Sequence, residues 1–229
     1  SYNYFHITVA AFVRLFAERP QLNRFIMNGR IFKRNKIMIS FAVKKKLSDD
    51  AIDTTIKLEF DGTESIYEVK EMMDNAIKEN ATLSANNNTD KTAKMLTNMP
   101  NGLIKMAVGL IKFLDKHGMC PKAVLKASPF HTSGFVTNLK SIKANYIYHH
   151  LYDFGTTSIF IAMGKEKFEP VVNNNKELEV AKIMKLGIVT DERFCDGFYY
   201  VKSMRLFESY FNDPSVLLTK LEAKKEDVD

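Results

Sequence analysis

The segment from Lys185 to Phe211 constrains the fold most, because it joins a short apolar strand to a helix through one polar corner. Lys185-Leu186-Gly187-Ile188-Val189-Thr190 has the β-branched composition of a strand. Asp191-Glu192-Arg193-Phe194-Cys195-Asp196-Gly197 interrupts it and ends in an Asp-Gly turn. Tyr199 to Phe211 then repeats apolar residues at helical spacing: Val201, Met204, Phe207 and Phe211. Phe135 to Leu139 and Thr157 to Ala162 are further short apolar runs, of the kind found inside a large mixed sheet. Strands alternating with helices give an α/β or α+β class.

The first third of the chain supports the same reading. Val9, Phe12, Val13 and Phe16 mark a helix over Phe5 to Phe16, which Pro20 ends. Asn28-Gly29 is a strong turn signal, and Ile31 to Phe32 and Ile37 to Val43 read as strands. Thr54 to Phe60 alternates Thr55, Lys57 and Glu59 against Ile56, Leu58 and Phe60, the pattern of a half-buried strand. Ile66 to Ala81 reads as a helix and Asn86-Asn87-Asn88 as an exposed loop. Leu103 to Leu114 is apolar at helical spacing but too short to span a bilayer, so it is expected to be buried or to face a neighbouring subunit. The tail after Leu221 is almost wholly charged and is expected to fray.

Composition excludes several function classes. At 229 residues the chain can bury a substantial core. Two cysteines argue against a disulfide scaffold and a zinc site. The net charge of +6 is scattered; Lys44-Lys45-Lys46 is the one tight triplet and adjoins Asp49-Asp50, so no nucleic-acid partner is expected. No apolar stretch spans a membrane and the first residues lack a signal-peptide layout, which makes a cytoplasmic protein without membrane contact the expectation. A glycine-rich phosphate loop and an H-E-x-x-H pattern are both missing, so dinucleotide, P-loop and metal readings lack support.

The corner over Asp191–Gly197 resembles the active-site motif of the chloramphenicol acetyltransferase-like superfamily. The resemblance is nearest to the catalytic domain of the dihydrolipoamide acyltransferases of 2-oxo acid dehydrogenases. Other pieces follow the family order. They are Arg19-Pro20-Gln21-Leu22-Asn23, Asn28-Gly29-Arg30-Ile31 and Ile39 to Val43 near the start, then Ser133 to Leu139, Gly155 to Gly164, and Asp213-Pro214 with Leu217-Leu218. The resemblance implies an α/β two-layer sandwich, a large mixed β-sheet packed with helices. It implies one acyltransferase-like domain over residues 1–221 followed by a charged tail over 222–229, with the family's first strand and helix expected ahead of Ser1. It also implies a homotrimer with a channel shared between subunits and no permanently bound cofactor. Acyl-CoA is the implied co-substrate, and a thiol or hydroxyl is the small-molecule acceptor. No lipoyl-bearing or subunit-binding module is visible in the sequence.

The family motif carries a catalytic histidine where this chain has Glu192. Histidine suits a general base because its free pKa is about 6.5. A glutamate starts at about 4.3 and needs burial to serve. Glu192 is therefore either a tuned base or half of an ion pair with a nearby Arg or Lys. Asp196 resembles the family aspartate that orders the site through an arginine, with Arg193 and Arg14 as candidate partners. Thr137, or Ser133, stands where the family places a hydroxyl that steadies the tetrahedral intermediate. Asn138 resembles the family asparagine, and its alternative is a cap on the following turn. His149 and His150, adjacent in Tyr146 to Tyr152, either supply the missing base or pack at a subunit contact. His131 is a further candidate in a loop. Cys120 and Cys195 read as small buried hydrophobes.

Three functions follow from these alternatives. The first is a CoA-dependent acyltransferase with a modified active site. The second is a non-catalytic trimer that binds a CoA-like ligand or a protein partner. The third is chloramphenicol O-acetylation, which the absent histidine opposes.

Overall fold

The computed structural model describes residues 2–44, 53–83, 100–173 and 175–228. Asn86-Asn87-Asn88, Lys45, Lys46, Asp49 and Asp50 lie outside the described residues.

Helix α1 (Tyr4–Glu18) starts at an Asn3 cap: the Asn3 side chain accepts from the His6 backbone N–H at 3.0 Å. The His6 ring accepts from the Asn3 N–H in return, at 3.4 Å, so two of the free N–H groups of the first turn are satisfied. The helix ends at Arg19, just before the turn opened by Pro20. Its apolar residues surround the axis, and Phe12, Leu15 and Phe16 are fully buried. Each such side chain contributes about 1.5–3 kcal/mol through burial. The helix needs this all-round character because it lies against strand β3 (Ile37–Lys44), helix α2 (Ile66–Leu83) and helix α5 (Gly197–Asn212).

Asn28 and Gly29 both have positive φ, at 48° and 74°. They close a two-residue hairpin between β1 (Arg24–Met27) and β2 (Arg30–Lys33), the turn geometry Asn-Gly favours. The sequence reading missed β1, because Arg24 to Met27 has no alternation of its own.

The main sheet has five strands in the order β4 (Asp53–Phe60), β3, β5 (Gly134–Asn138), β6 (Ile159–Met163), β9 (Leu186–Thr190). Strands β3, β5 and β6 run parallel, and β4 and β9 pair antiparallel at the two edges. One cross-sheet row holds Ile39, Gly134, Ile159 and Thr190. At Gly134 a Cβ would stand 2.3 Å from a Phe12 ring carbon, so only glycine lets α1 lie this close to the sheet. Odd residues of β3, Val136, and Ile159, Ile161 and Met163 of β6 join the helix-side core. The opposite face carries a smaller cluster of Phe135, Phe160 and Ala162. This is the mixed sheet packed with helices expected from the sequence.

One expectation is narrowed, one is corrected and one further element is added. Helix α3 (Asn101–Lys116) forms where helical spacing predicts it, but none of its side chains is buried within the chain. The charged tail does not fray over its described residues. The Lys225 backbone N–H donates to the Ala17 carbonyl at 2.9 Å, and Asp227 pairs with Arg24 at 2.5 Å. An additional hairpin, β7 (Lys167–Val172) with β8 (Leu178–Ile183), was not read from the sequence. Pro170 inside β7 disguises it.

Candidate functional site

The corner after β9 is built locally. Asp191 caps a short 3-10 turn, accepting from the Arg193 backbone N–H at 3.1 Å and from its guanidinium at 2.7 and 2.6 Å. Burial raises the Asp191 carboxyl, but the Arg193 hydrogen bonds outweigh it and hold the group below its ordinary value. Arg193 is therefore committed to Asp191. Glu192 is exposed and has no ion pair with a described residue, so the expected pairing with a neighbouring cation is absent.

Asp196 is also exposed. It accepts from the Tyr199 N–H at 2.7 Å and caps α5. Neither candidate arginine reaches it, because Arg14 is buried and donates to the Val216 and Thr219 carbonyls. Within the chain, the architectural role of Asp196 comes from capping and the expected arginine bridge is missing. Cys195 is buried, and burial together with the Asp196 charge pushes its thiol up to about 11, an inert setting.

Thr137, Asn138, His149 and His150 lie elsewhere. Thr137 pairs with Ala162, and Ala162 pairs with Gly187, three residues back along β9 from Thr190. Glu192 is two residues beyond Thr190. At about 3.3 Å per residue the two positions stand roughly 16 Å apart along the strand direction. Asn138 accepts from the Lys140 N–H at 3.2 Å, the capping alternative read from the sequence. Ser133 is fully buried and its hydroxyl accepts from the Met38 N–H at 2.9 Å, which commits it to holding β3. The His149 ring lies on Phe160, with centroids 4.2 Å apart and planes 9° apart. His150 stacks on His149, and each Nδ1 contacts a backbone carbonyl. Within one chain, then, the six residues singled out from the sequence do not form one site.

A different group of side chains does converge. On the open face, beside Met38, Lys57 and Glu59 of β3 and β4, lies a cavity of about 600 Å³. Phe25 and Met27 of the hairpin and Leu125 of helix α4 (Lys122–Ala127) supply apolar wall. Asp115 and His131 also line it, with His131 Nε2 2.7 Å from an Asp115 carboxylate oxygen and Nδ1 2.8 Å from Ser128 Oγ. Ser128 Oγ accepts from the Phe130 N–H at 3.3 Å, leaving its own proton for Nδ1. A neutral imidazole with its proton on Nε2 satisfies every one of these contacts.

The loop carrying His131 is held from several sides. Thr132 Oγ1 donates to the Met38 carbonyl, Ser40 Oγ to that of Pro129, and the Thr157 N–H to that of Phe130. Lys57 Nζ donates to the carbonyls of Leu125 at 2.6 Å, Ser128 at 2.7 Å and His131 at 3.4 Å. Burial, with Arg34 nearby, lowers the Lys57 amine from its ordinary value. Arg34 lies over the Phe25 ring at 4.3 Å and donates to the Thr156 carbonyl, while its buried Nε has no partner. His131 was a sequence candidate, but Asp115, Ser128, Arg34 and Lys57 were missed, because no short spacing connects them. Among the described residues, no group of three or more metal-ligating side chains exists, and no helix is long and apolar enough to cross a membrane.

Comparison with known proteins agrees with this architecture. The profile of the 2-oxoacid dehydrogenases acyltransferase (catalytic domain) matches residues 137–219. The search of curated proteins found no match. Among solved structures, a probable dihydrolipoamide acetyltransferase from Listeria monocytogenes is similar at a TM-score of 0.60 and 15% identity. It covers 92% of this chain and 70% of that one. The cubic core of the pyruvate dehydrogenase multienzyme complex gives 0.58 and 12%, covering 94% and 71%. The dihydrolipoamide acetyltransferase of Azotobacter vinelandii, studied for the role of a serine, a histidine and an asparagine in its mechanism, gives 0.58 and 11%, covering 94% and 71%. These likenesses show a shared fold.

Proposed function

We propose that this chain transfers acyl groups from a CoA thioester to a small thiol or hydroxyl acceptor, with its proton chemistry moved from Glu192 to Asp115, His131 and Ser128. The carrying observation is the contact chain Asp115–His131–Ser128 at 2.7 and 2.8 Å, two of whose members line the cavity. A hydroxyl bonded to an imidazole that a carboxylate orients is the arrangement of an activated nucleophile. Ser128 Oγ attacks the thioester carbonyl and its proton passes to His131 Nδ1. Asp115 stabilises the imidazolium. The C–S bond breaks, the thiolate takes the proton, and an ester on Ser128 remains. The acceptor then attacks that ester through the same imidazole, and Ser128 Oγ leaves with the proton.

Acetyl-CoA turnover, followed by thiol release, tests the reading. Ser128→Ala and His131→Asn should each lower the rate at least about 100-fold, the lower end of the range for general-base catalysis. Glu192→Gln should leave it within about 2-fold, and an intact-mass increase of one acetyl group should appear on Ser128. Activity that survives His131→Asn but is lost in Glu192→Gln would overturn this assignment and restore the motif position as the base.

A second reading has one observation behind it: Glu192 is exposed and without an ion pair where the related motif carries its base. On that reading the chain is a non-catalytic homotrimer that binds a CoA-like ligand or a protein partner. Absence of thiol release from the native chain with thiol and hydroxyl acceptors, chloramphenicol included, would select it.

A further inference from the structure

The cavity contains a cation, Arg34, that has no carboxylate partner among the described residues. Arg34 Nε is buried with no hydrogen-bond partner, and no described carboxylate forms a salt bridge with this guanidinium. Burial pulls the group down from its ordinary value, because the charge is partly withdrawn from water. A guanidinium remains charged in proteins, so this position suits an anion. The two carboxylates that line the cavity are occupied: Glu59 pairs with Lys36 at 3.1 Å and Asp115 with His131. Lys57 adds a second positive charge, and its three N–H groups are engaged by backbone carbonyls.

We propose that the cavity binds a small carboxylate whose charged end meets Arg34 and whose apolar end rests on Phe25, Met27, Met38 and Leu125. The chemistry selects a monoanion over a phosphate dianion. Arg34, whose Nε is buried and unpartnered, has N–H groups to spare on this wall, and its planar fork matches a carboxylate. Lys57 contributes charge without a free donor. The Asp115 and Glu59 carboxylates on the same walls oppose a second negative charge. A ligand of this class serves as acyl acceptor only if it also carries a thiol or hydroxyl, and that role rests on the acyl-transfer reading; its binding does not.

Isothermal titration of the full chain without CoA tests this, with hexanoate, hexanamide and inorganic phosphate as probes. Hexanoate should bind at least about 10-fold more tightly than hexanamide and than phosphate, since a charge-assisted bidentate pair exceeds a neutral contact. Arg34→Gln should erase the preference of hexanoate over hexanamide, and Arg34→Lys should reduce it by about 3–10-fold. The ligand comparison on the native chain needs no variant to fold. Equal affinity for hexanoate and hexanamide, no hexanoate binding at 10 mM (roughly a 3 kcal/mol interaction or less), or tighter phosphate binding would each overturn the inference. Hexanoate binding without acyl transfer would leave it standing and remove only the acyl-transfer reading.

Discussion

His131 Nε2 stands 2.7 Å from the Asp115 carboxylate, and this contact ties the C-terminal turn of α3 to the loop that enters β5. Both side chains are largely buried, with 6 and 14% of their surfaces exposed. α3 has no buried side chain to anchor it otherwise. Asp115→Ala should lower unfolding stability by about 1–3 kcal/mol, the cost of a buried polar group left without its partner. Urea denaturation measures this. A midpoint unchanged from the native chain would show that the pair is not a structural tie.

The Cys195 thiol should be unreactive in the folded chain. Burial first, and the neighbouring Asp196 charge second, push it up to about 11. Little thiolate exists at pH 8, and the thiolate is the nucleophile. Cys120 is shifted upward as well, by burial and then Asp115. Iodoacetamide at pH 8 followed by mass spectrometry should find both cysteines largely unmodified, and both should react once urea unfolds the chain. Rapid alkylation of native Cys195 would contradict the burial.

Arg24 and Asp227 give a third test. The Asp227 carboxylate accepts from Arg24 Nε at 2.9 Å and from Nη2 at 2.5 Å, with the side chains 12 and 14% exposed. A two-pronged, mostly buried pair is stronger than surface ion pairs. Asp227→Ala should lower stability by about 1.5–3 kcal/mol, the range for a hydrogen bond to a charged group. Loss of less than about 0.5 kcal/mol in urea melts would return the tail to the frayed state that its composition suggested.

What the sequence revealed follows from how local each signal is. The α1 stripe, the β5, β6 and β9 runs and the Asp191–Gly197 corner are contiguous, and the structure places elements where they predict. The cavity was illegible for the opposite reason. Asp115 and His131 are sixteen positions apart, and Arg34 and Lys57 come from different parts of the chain. No period or motif joins them before the sheet does. The register explains the scattering of the motif residues: Thr137 and Glu192 belong to opposite ends of the sheet, which a linear comparison of motifs does not reveal.

Assembly is the fourth prediction. Met106, Leu110 and Phe113 of α3, and Phe168, Leu178 and Val180 of the β7–β8 hairpin, are each more than half exposed. Large apolar side chains exposed together on one element are a feature of contact sites. Light scattering at micromolar concentration should give three times the 26.2 kDa chain mass, with the two surfaces covered by further copies of the chain. Leu110→Asp with Leu178→Asp should shift the mass toward one chain. A native monomer would remove the trimer.

Asp196 separates a local cap from a long-range bridge. If it acts only through the Tyr199 N–H, Asp196→Ala should cost about 1 kcal/mol, the usual loss of a helix N-cap. For a chain of this length that is a fall of about 2–4 °C in thermal midpoint. Asp196→Asn should lose only a few tenths of a kcal/mol, because asparagine caps as well as aspartate. A buried arginine partner predicts a different pattern. Both variants would then lose about 3–5 kcal/mol, since each leaves a buried cation unpaired. Urea melts of the two variants in parallel therefore decide the matter. A small loss for alanine with almost none for asparagine assigns Asp196 to starting α5 beside Glu192. A large loss in both would mean that an arginine reaches it in the assembled protein.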